Sequence, residues 1–544
     1  MSETYVLNKN SEYSSYRKKV SILRILFSPM FFIVLFFLVE IFLILFFSDF
    51  IYKKELQFLI IILSIFEIIY IVNSKKLKDS FKIIWMLVFI SMPIFGVLLY
   101  FILNLTDIFS LYRNKLRDTV INSKKYYDFS FSDEIRERLK LDDRSVNDDN
   151  DLKEEVYHEY SFYNYFHDYV ETPIYKDVSS YYFDNGKDAF EDIIKKMKQA
   201  KHFIFIEIFI LFDGIVWQEM LKVLKEKAKE GVEVKLLVDG LNSILRFNKK
   251  YCEYLKSFNI EAKIFKPISP FIASTQNRRD HRKIFVIDNK IAYTGGINIA
   301  DEYANLYERF GYWKDSCIRI KGKAVDSFTI MFLHLWQIYS ASKVIDFDKY
   351  LIDNKIEEKV DGAVYVPYTD YPYLAENVSL EIYKYMFNAS NEYMYIMTPY
   401  LVIDEAMVNT IESAAKRGVD VRIIVPRIPD KKYVFYVNRS YYRSLVLAGA
   451  KIYEYMPGFI HSKIYLQDNV RAVVGTANLD YRSLYMHYEN GIYIYNDNKI
   501  LGDIKRDFDK VLSESKEMTM SEIIKIPKRY RFFGAILKVF APLM

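Results

Sequence analysis

Two similar α/β domains related by duplication, preceded by N-terminal transmembrane helices, are what this 544-residue sequence predicts. Three observations carry the prediction. A tetrad His281-x-Lys283-x4-Asp288 recurs as His461-x-Lys463-x4-Asp468, offset by 461 − 281 = 180 residues, and each copy leads into a Gly-rich turn ending in Asn, Gly295-Gly-Ile-Asn298 and Gly475-Thr-Ala-Asn478. A helix-strand-helix-strand rhythm precedes each copy, and long apolar stretches open the chain. With only 7 His present, a chance tetrad is expected on the order of 0.05 times in this length, so two in register mark a duplicated site.

Three apolar stretches, about Leu26–Phe47, Leu56–Val72 and Ile83–Leu103, give a membrane segment over residues 1–106 with two or three transmembrane helices. The first and third are long enough to cross a hydrocarbon core, and the second is near the lower limit of about 17 residues. A cleaved signal peptide fits badly, because the first stretch is too long and more apolar segments follow it. Glu40 and Glu67 inside these stretches are expected to pair within the bundle or reach the interface. Basic residues flank every stretch, Arg17, Lys18 and Lys19 on one side and Arg113, Lys115 and Arg117 on the other, so the positive-inside rule does not choose an orientation. The reading is a multi-pass protein of the cell membrane.

Residues 107–155 are polar and acidic without apolar periodicity and read as a linker. The first α/β domain spans 156–345, with Ala189–Ala200 and Gln218–Glu230 as helices and His202–Ile210 and Val232–Val238 as strands. The second spans 346–515, with helices Val378–Ala389 and Glu405–Arg417 and strands Tyr393–Met397 and Val419–Val425, and the boundary falls near Val344–Asp361. Within each motif the residues after Lys read as a strand, a turn and a return strand, and period-two alternation puts His and Lys on one face. Asp288 and Asp468 then sit at the turn, where Asp serves as a structural hydrogen-bond acceptor rather than a proton carrier. Aromatic runs at Tyr160–Tyr169 and Tyr436–Tyr442 are read as packing. The tail, 516–544, is basic and then apolar, too short to span, and fits an interfacial helix or a packed terminal helix equally well.

A net charge of +5 suits a protein working against anionic lipid and does not imply nucleic acid. Cys252 and Cys317 are the only cysteines, which leaves neither a disulfide framework nor a zinc site. The chemistry of the motifs explains their residue types. Imidazole is both nucleophile and proton donor near neutral pH, and Lys supplies fixed positive charge for phosphate oxygens. One His attacks phosphorus while the other protonates the leaving alkoxide and then activates the incoming hydroxyl. The two Lys supply the charge that divalent ions supply elsewhere, so neither a metal nor another cofactor is expected.

These residues resemble the phospholipase D superfamily, and within it the bacterial cardiolipin synthases, over nearly the whole chain. The resemblance extends to Asn277-Arg-Arg-Asp-His281, Gly311-Tyr-Trp-Lys-Asp315, Thr398-Pro-Tyr400, Ile428-Pro-Asp-Lys-Lys432 and Gly475-Thr-Ala-Asn-Leu-Asp-Tyr-Arg-Ser483, and to Trp85, Pro93, Gly96 and Tyr100 near the N-terminus. One departure is Val238-Asp-Gly-Leu-Asn-Ser243, where a second acidic residue beside Asp239 is expected. The resemblance implies two phospholipase D-like domains related by a pseudo-twofold axis, and a catalytic set of His281, Lys283, Asp288, His461, Lys463 and Asp468. It further implies Asn298 and Asn478 as substrate-binding residues, Asp315 and Glu489 as carboxylates that orient the imidazoles, and His281 as nucleophile with His461 as acid and base. The implied reaction joins two phosphatidylglycerol molecules into cardiolipin and glycerol through a phosphohistidine. A membrane-bound hydrolase of the same superfamily is the alternative, and two intact His-Lys pairs weigh against a silent scaffold.

Overall fold

A computed structural model describes residues 54–74, 79–91, 111–134, 159–241, 247–266, 278–340, 345–356, 363–374 and 376–543, with a few isolated residues before 101. Apart from Leu38 and Phe42, the first expected span lies outside the described residues. The second forms α1, Lys54–Val72, and the third begins as α2, Asp79–Ser91. Among the described residues no helix is long and apolar enough to cross a membrane. Residues 96, 97, 99 and 100, beyond the end of α2, are helical as well, and α1 carries Glu55 and Glu67. The two helices share an aromatic cluster in which Trp85 meets Tyr100 edge-on at 4.9 Å.

The segment expected to be a linker is in part a docked helix, α3, Leu111–Ser123. Leu116 is buried, Lys115 Nζ donates to the carbonyls of Ile338 and Ser340 at 3.1 and 2.8 Å, and Ser123 Oγ lies 2.6 Å from His334 Nε2. These anchors are mostly polar, which is why no apolar period betrays the helix. The acidic run at 135–158 lies outside the described residues.

The first half contains β1 Val178–Phe183, α4 Gly186–Met197, β2 Phe203–Ile208, α5 Ile215–Lys229, β3 Glu233–Asp239, α6 Lys249–Lys256, β4 Ile260–Phe265, β5 Ile284–Ile287, β6 Ile291–Gly295, β7 Tyr312–Lys314, β8 Cys317–Gly322 and α7 Ala324–Ile338. The second contains β9 Val364–Asp370, α8 Val378–Ala389, β10 Tyr393–Met397, β11 Leu401–Val402, α9 Glu405–Lys416, β12 Asp420–Pro426, α10 Lys432–Leu447, β13 Lys451–Tyr455, β14 Gly458–Ile460, β15 Ile464–Gln467, β16 Arg471–Gly475, β17 Leu479–Asp480, α11 Tyr481–Tyr485, β18 Glu489–Tyr495 and α12 Asn498–Ser513. After it come β19 Ser515–Glu517, α13 Met520–Lys525 and α14 Lys528–Val539. Side-chain caps start several helices, as where Asn185 accepts from Asp188 N at 2.9 Å and Asp404 from Met407 N at 2.9 Å.

Strand order is the clearest record of duplication. The first sheet runs β1-β8-β6-β5-β2-β3-β4, and the second runs β9-β18-β16-β15-β10-β12-β13 with β19 added at the edge. Pairing directions correspond as well: β2 and β3 are parallel like β10 and β12, and β2 and β5 antiparallel like β10 and β15. Both sheets are therefore mixed, and their strands alternate between an outer and a central apolar layer. Ile204 and Ile206 face the outer helices of the first half, while Phe203 and Phe205 join a core shared with Ile464, Leu466 and Val474 of the second. Helix α7, buried along its whole length, and α12 contribute to that shared core. The aromatic runs pack as expected, with Phe162 stacked on Tyr385 at 3.7 Å and Tyr441 and Tyr442 buried.

Candidate active site

In each half the His and Lys of the motif lie in the extended segment that enters the strand, just before β5 and just before β15. The alternation His281-Arg282-Lys283 sends the middle residue the other way. Arg282 is buried and donates from Nε to Glu207 Oε1 at 2.7 Å, with Asp280 3.5 Å away, so an ionic cluster holds the backbone that presents His281. Ser462 occupies the corresponding place in the second copy and is also buried.

The motif aspartates stand at the far end of the strand, about 23 Å from the His along an extended chain. Asp288 accepts three backbone N–H bonds, from Lys201, His202 and Phe203 at 2.7, 2.7 and 2.8 Å, and Asp468 repeats this with Asn391, Glu392 and Tyr393 at 2.7, 3.0 and 2.6 Å. Asp288, Asn289, Asp468 and Asn469 all have φ near +50°, a conformation that Asp and Asn tolerate in a tight hairpin turn. Of the residues expected to be catalytic, these two tie the hairpin to the start of the neighbouring strand, β2 or β10, at a distance from the imidazoles.

The two carboxylates following the motifs are exchanged between halves. Glu489, from the second half, places both carboxylate oxygens 2.9 Å from Nδ1 of His281 in the first. Asp315, from the first half, places Oδ2 2.7 Å from Nδ1 of His461 in the second. The backbone repeats the exchange, because His281 N–H donates to Tyr488 O at 2.9 Å and His461 N–H to Lys314 O at 2.7 Å. Strands β7 and β14 pair in parallel across the same junction. The fit is close enough to require Gly296, where a Cβ would meet Asp315 Oδ1 at 1.9 Å. Thr476 takes that position in the second copy and donates its hydroxyl to Glu489 Oε2 at 2.5 Å.

Burial sets the charge state of the site. It depresses His281 to about 3 and His461 to about 4 against the opposing pull of Glu489 and Asp315, with the neighbouring lysines adding to the depression. Burial also lowers Lys283 to about 8 and Lys463 to about 7, with both carboxylates opposing. Glu489, which burial alone would raise, is held well below the usual range by His281 and His487, and Asp315 is held low by His461 and Lys463. Each imidazole is thus neutral beside an ionised carboxylate, with Nδ1–H donated to it and Nε2 free of hydrogen bonds among the described residues. Each Lys Nζ rests on the carbonyl of its own His, at 2.6 Å for Lys283.

The two asparagines differ. Asn298 accepts from Ile210 N at 2.9 Å and donates to Tyr303 Oη at 2.8 Å, so each end of its amide makes a bond within the first half. Asn478 keeps a buried Oδ1 with no partner among the described residues. Two rings complete the site. Trp313, two residues before Asp315, lies 5.4 Å from His461, and His487, two residues before Glu489, lies 5.6 Å from His281. Trp313 Nε1 and both His487 nitrogens are buried without a hydrogen-bond partner among the described residues, and His487 Nδ1 lies 3.6 Å from Glu489 Oε1. Sequence reasoning missed His487, although its spacing to Glu489 repeats that of Trp313 to Asp315.

Ligand atoms of His281, His487 and Glu489 all lie within 4.8 Å of one another, close enough for a divalent ion to bridge. Nearby Lys283 makes a cation unwelcome there. EDTA is accordingly expected to change turnover less than about twofold, since two lysines already supply the charge. Complete loss, restored by one specific divalent ion, would overturn a mechanism run by two histidines.

Fold and paired His-Lys sites together define a phosphatidyltransferase of the phospholipase D superfamily. The profile described as "Cardiolipin synthase, PLD-like domain" matches residues 193–336 and 383–512, one stretch in each half. The cardiolipin synthase of Halalkalibacterium halodurans is 30% identical over 478 residues, which is 88% of this chain and 91% of that protein, and that of Clostridium perfringens (strain 13 / Type A) is 33% identical over 85% and 93% respectively. An uncharacterised protein of Streptococcus mutans is 40% identical over 88% of this chain and 99% of its own length. Among solved structures, phosphatidylserine synthase from Haemophilus influenzae shares the fold, with a TM-score of 0.54 over 69% of this chain and 97% of that one at 16% identity. The chain belongs to the cardiolipin synthase family.

Proposed function

We propose that the protein transfers a phosphatidyl group between two phosphatidylglycerol molecules, giving cardiolipin and glycerol. The observation that carries this reading is the crossed pairing of His281 with Glu489 and His461 with Asp315. It gives two neutral imidazoles, each with Nδ1 tied to a carboxylate and Nε2 left for chemistry. In the first step His281 Nε2 forms a bond to phosphorus as the bond to the glycerol oxygen breaks, and that oxygen takes a proton from His461. In the second, the hydroxyl of another phosphatidylglycerol gives its proton to His461 and attacks phosphorus, and the bond to His281 breaks. Arrival of the phosphodiester anion favours the protonated forms of His461, Lys283 and Lys463, whose proton affinities burial depresses further than the neighbouring carboxylates restore.

Exchange of one primary alcohol ester for another is close to thermoneutral, so no nucleotide is required. Hydrolysis is the competing outcome, and burial of both imidazoles favours a lipid hydroxyl over bulk water. The apolar N-terminal segment, including the Glu-bearing α1, is read as the attachment to a cell membrane, where both substrates reside. The two domains are read as residues 156–345 and 346–515, with the edge strand β19 of the second sheet, Ser515–Glu517, running past the later limit.

The decisive assay incubates purified, detergent-solubilised protein with labelled phosphatidylglycerol and identifies the products. Cardiolipin and glycerol in equal amounts are expected. Phosphatidic acid with glycerol would mean a hydrolase, and no turnover would mean a scaffold.

A further inference from the structure

Helix α14 packs along α10 through one narrow face. Tyr530 stacks on Tyr436 with ring centroids 4.9 Å apart, Lys538 Nζ lies 4.1 Å over the ring of Tyr441, and Gly534 sits so close that a Cβ would approach Tyr436 O to 2.5 Å. Gly534 is the only buried residue of the helix. The opposite face shows Phe532, Phe533, Ile536, Val539 and Phe540, each between 42% and 64% exposed, at a spacing of i, i+1, i+4, i+7 and i+8. That spacing is one continuous apolar stripe on a helix. A contiguous cluster of three phenylalanines and two branched aliphatic residues is more than scattered surface hydrophobicity accounts for.

Charge indicates what covers the stripe. From residue 523 to 544 the chain carries Lys525, Lys528, Arg529, Arg531 and Lys538 and no acidic residue. Three of these stand in the first turn, directly before the phenylalanines. Basic residues at one end of an exposed aromatic stripe match the headgroup and acyl boundary of an anionic bilayer, where the charges meet lipid phosphates and the rings enter the apolar edge.

Position relates the stripe to catalysis. Tyr436 and Tyr441 run in the same direction along α10 as Tyr530 and Lys538 along α14, so the basic end of α14 lies beside the start of α10. The loop entering α10 carries Asp430 and Lys431, which hold Tyr400 Oη at 2.6 and 2.9 Å. The short turn Ala541–Leu543 after α14 touches α11, which follows Asn478 and Asp480.

We propose that α14 is a second membrane attachment, an interfacial helix that docks on anionic lipid and holds the site toward the leaflet that supplies substrate. This rests on the lipid-substrate reading but is tested separately from it. The full chain is reconstituted into vesicles of brominated phosphatidylglycerol or brominated phosphatidylcholine, and the emission of Phe533→Trp is compared with that of the unsubstituted chain. Added quenching in phosphatidylglycerol vesicles, at least several-fold above that in phosphatidylcholine, is expected. Arg529→Ala with Arg531→Ala should weaken this contact by about 25-fold, taking about fivefold for each charge.

Phe532→Ser with Phe533→Ser, both exposed and tolerable to the fold, should keep turnover in detergent micelles within about twofold and lose about tenfold or more on vesicles. No added quenching in either vesicle would overturn the proposal. So would a change from dimer to monomer in the serine variant at unchanged vesicle activity, because the stripe would then serve a second copy of the chain. Absence of micelle turnover in the unsubstituted chain would instead count against the lipid-transferase reading, and the quenching result would still stand or fall alone.

Discussion

His281→Asn lowers turnover by a factor on the order of 10⁵, the scale on which loss of a nucleophile acts when the rest of a site is intact, and leaves no phosphatidyl adduct with any substrate. His461→Asn fails in a different way. A phosphatidyl ester with a good leaving group needs little protonation, so its first step is partly rescued, and the adduct collects on His281 because the base that activates the acceptor is missing. Peptide mass analysis after an acid-free quench reads the difference. An adduct on His461 would reverse the assignment, and none on either His would mean direct displacement.

Glu489→Gln and Asp315→Asn are expected to cut turnover on the order of 10³-fold each, because an amide no longer fixes the Nδ1–H tautomer or offsets the imidazolium. Their phenotypes are crossed. Glu489 follows His461 in sequence yet holds His281 at 2.9 Å, so Glu489→Gln should behave as a weakened His281 variant, with little adduct from any substrate. Asp315→Asn should behave as a weakened His461 variant, with adduct accumulating from the activated ester. The same trapping experiment decides it. Phenotypes that follow sequence proximity instead, Asp315 with His281 and Glu489 with His461, would show that the exchange of carboxylates does not operate during turnover.

Much of this was legible in the residues. The 180-residue repeat locates both halves of the site, and helices and strands such as Val378–Ala389 and Tyr393–Met397 fall where periodicity puts them. Asp288 and Asp468 were recognisable as turn residues because Asp-Asn and hairpin spacing carry that information locally. What sequence left out is nonlocal. Asp315 stands 34 residues after His281 and 146 before His461, and nothing in that spacing tells which imidazole it serves. Asn298 looked equivalent to Asn478, but Tyr303 and Ile210 N–H engage it while Asn478 Oδ1 has no such partner. Helix α3 escaped notice because polar contacts to α7 and the residues after it, rather than an apolar face, hold it in place.

The exchange of carboxylates also makes catalytic competence a gauge of alignment between the two sheets. A slide of one half against the other by even an ångström would stretch the His281–Glu489 and His461–Asp315 bonds together, since both cross the same seam. Neither half holds a complete proton-handling unit, so partial activity from a single well-ordered half has no structural basis. Each repeat unit therefore depends on its twin for the carboxylate that completes its own histidine.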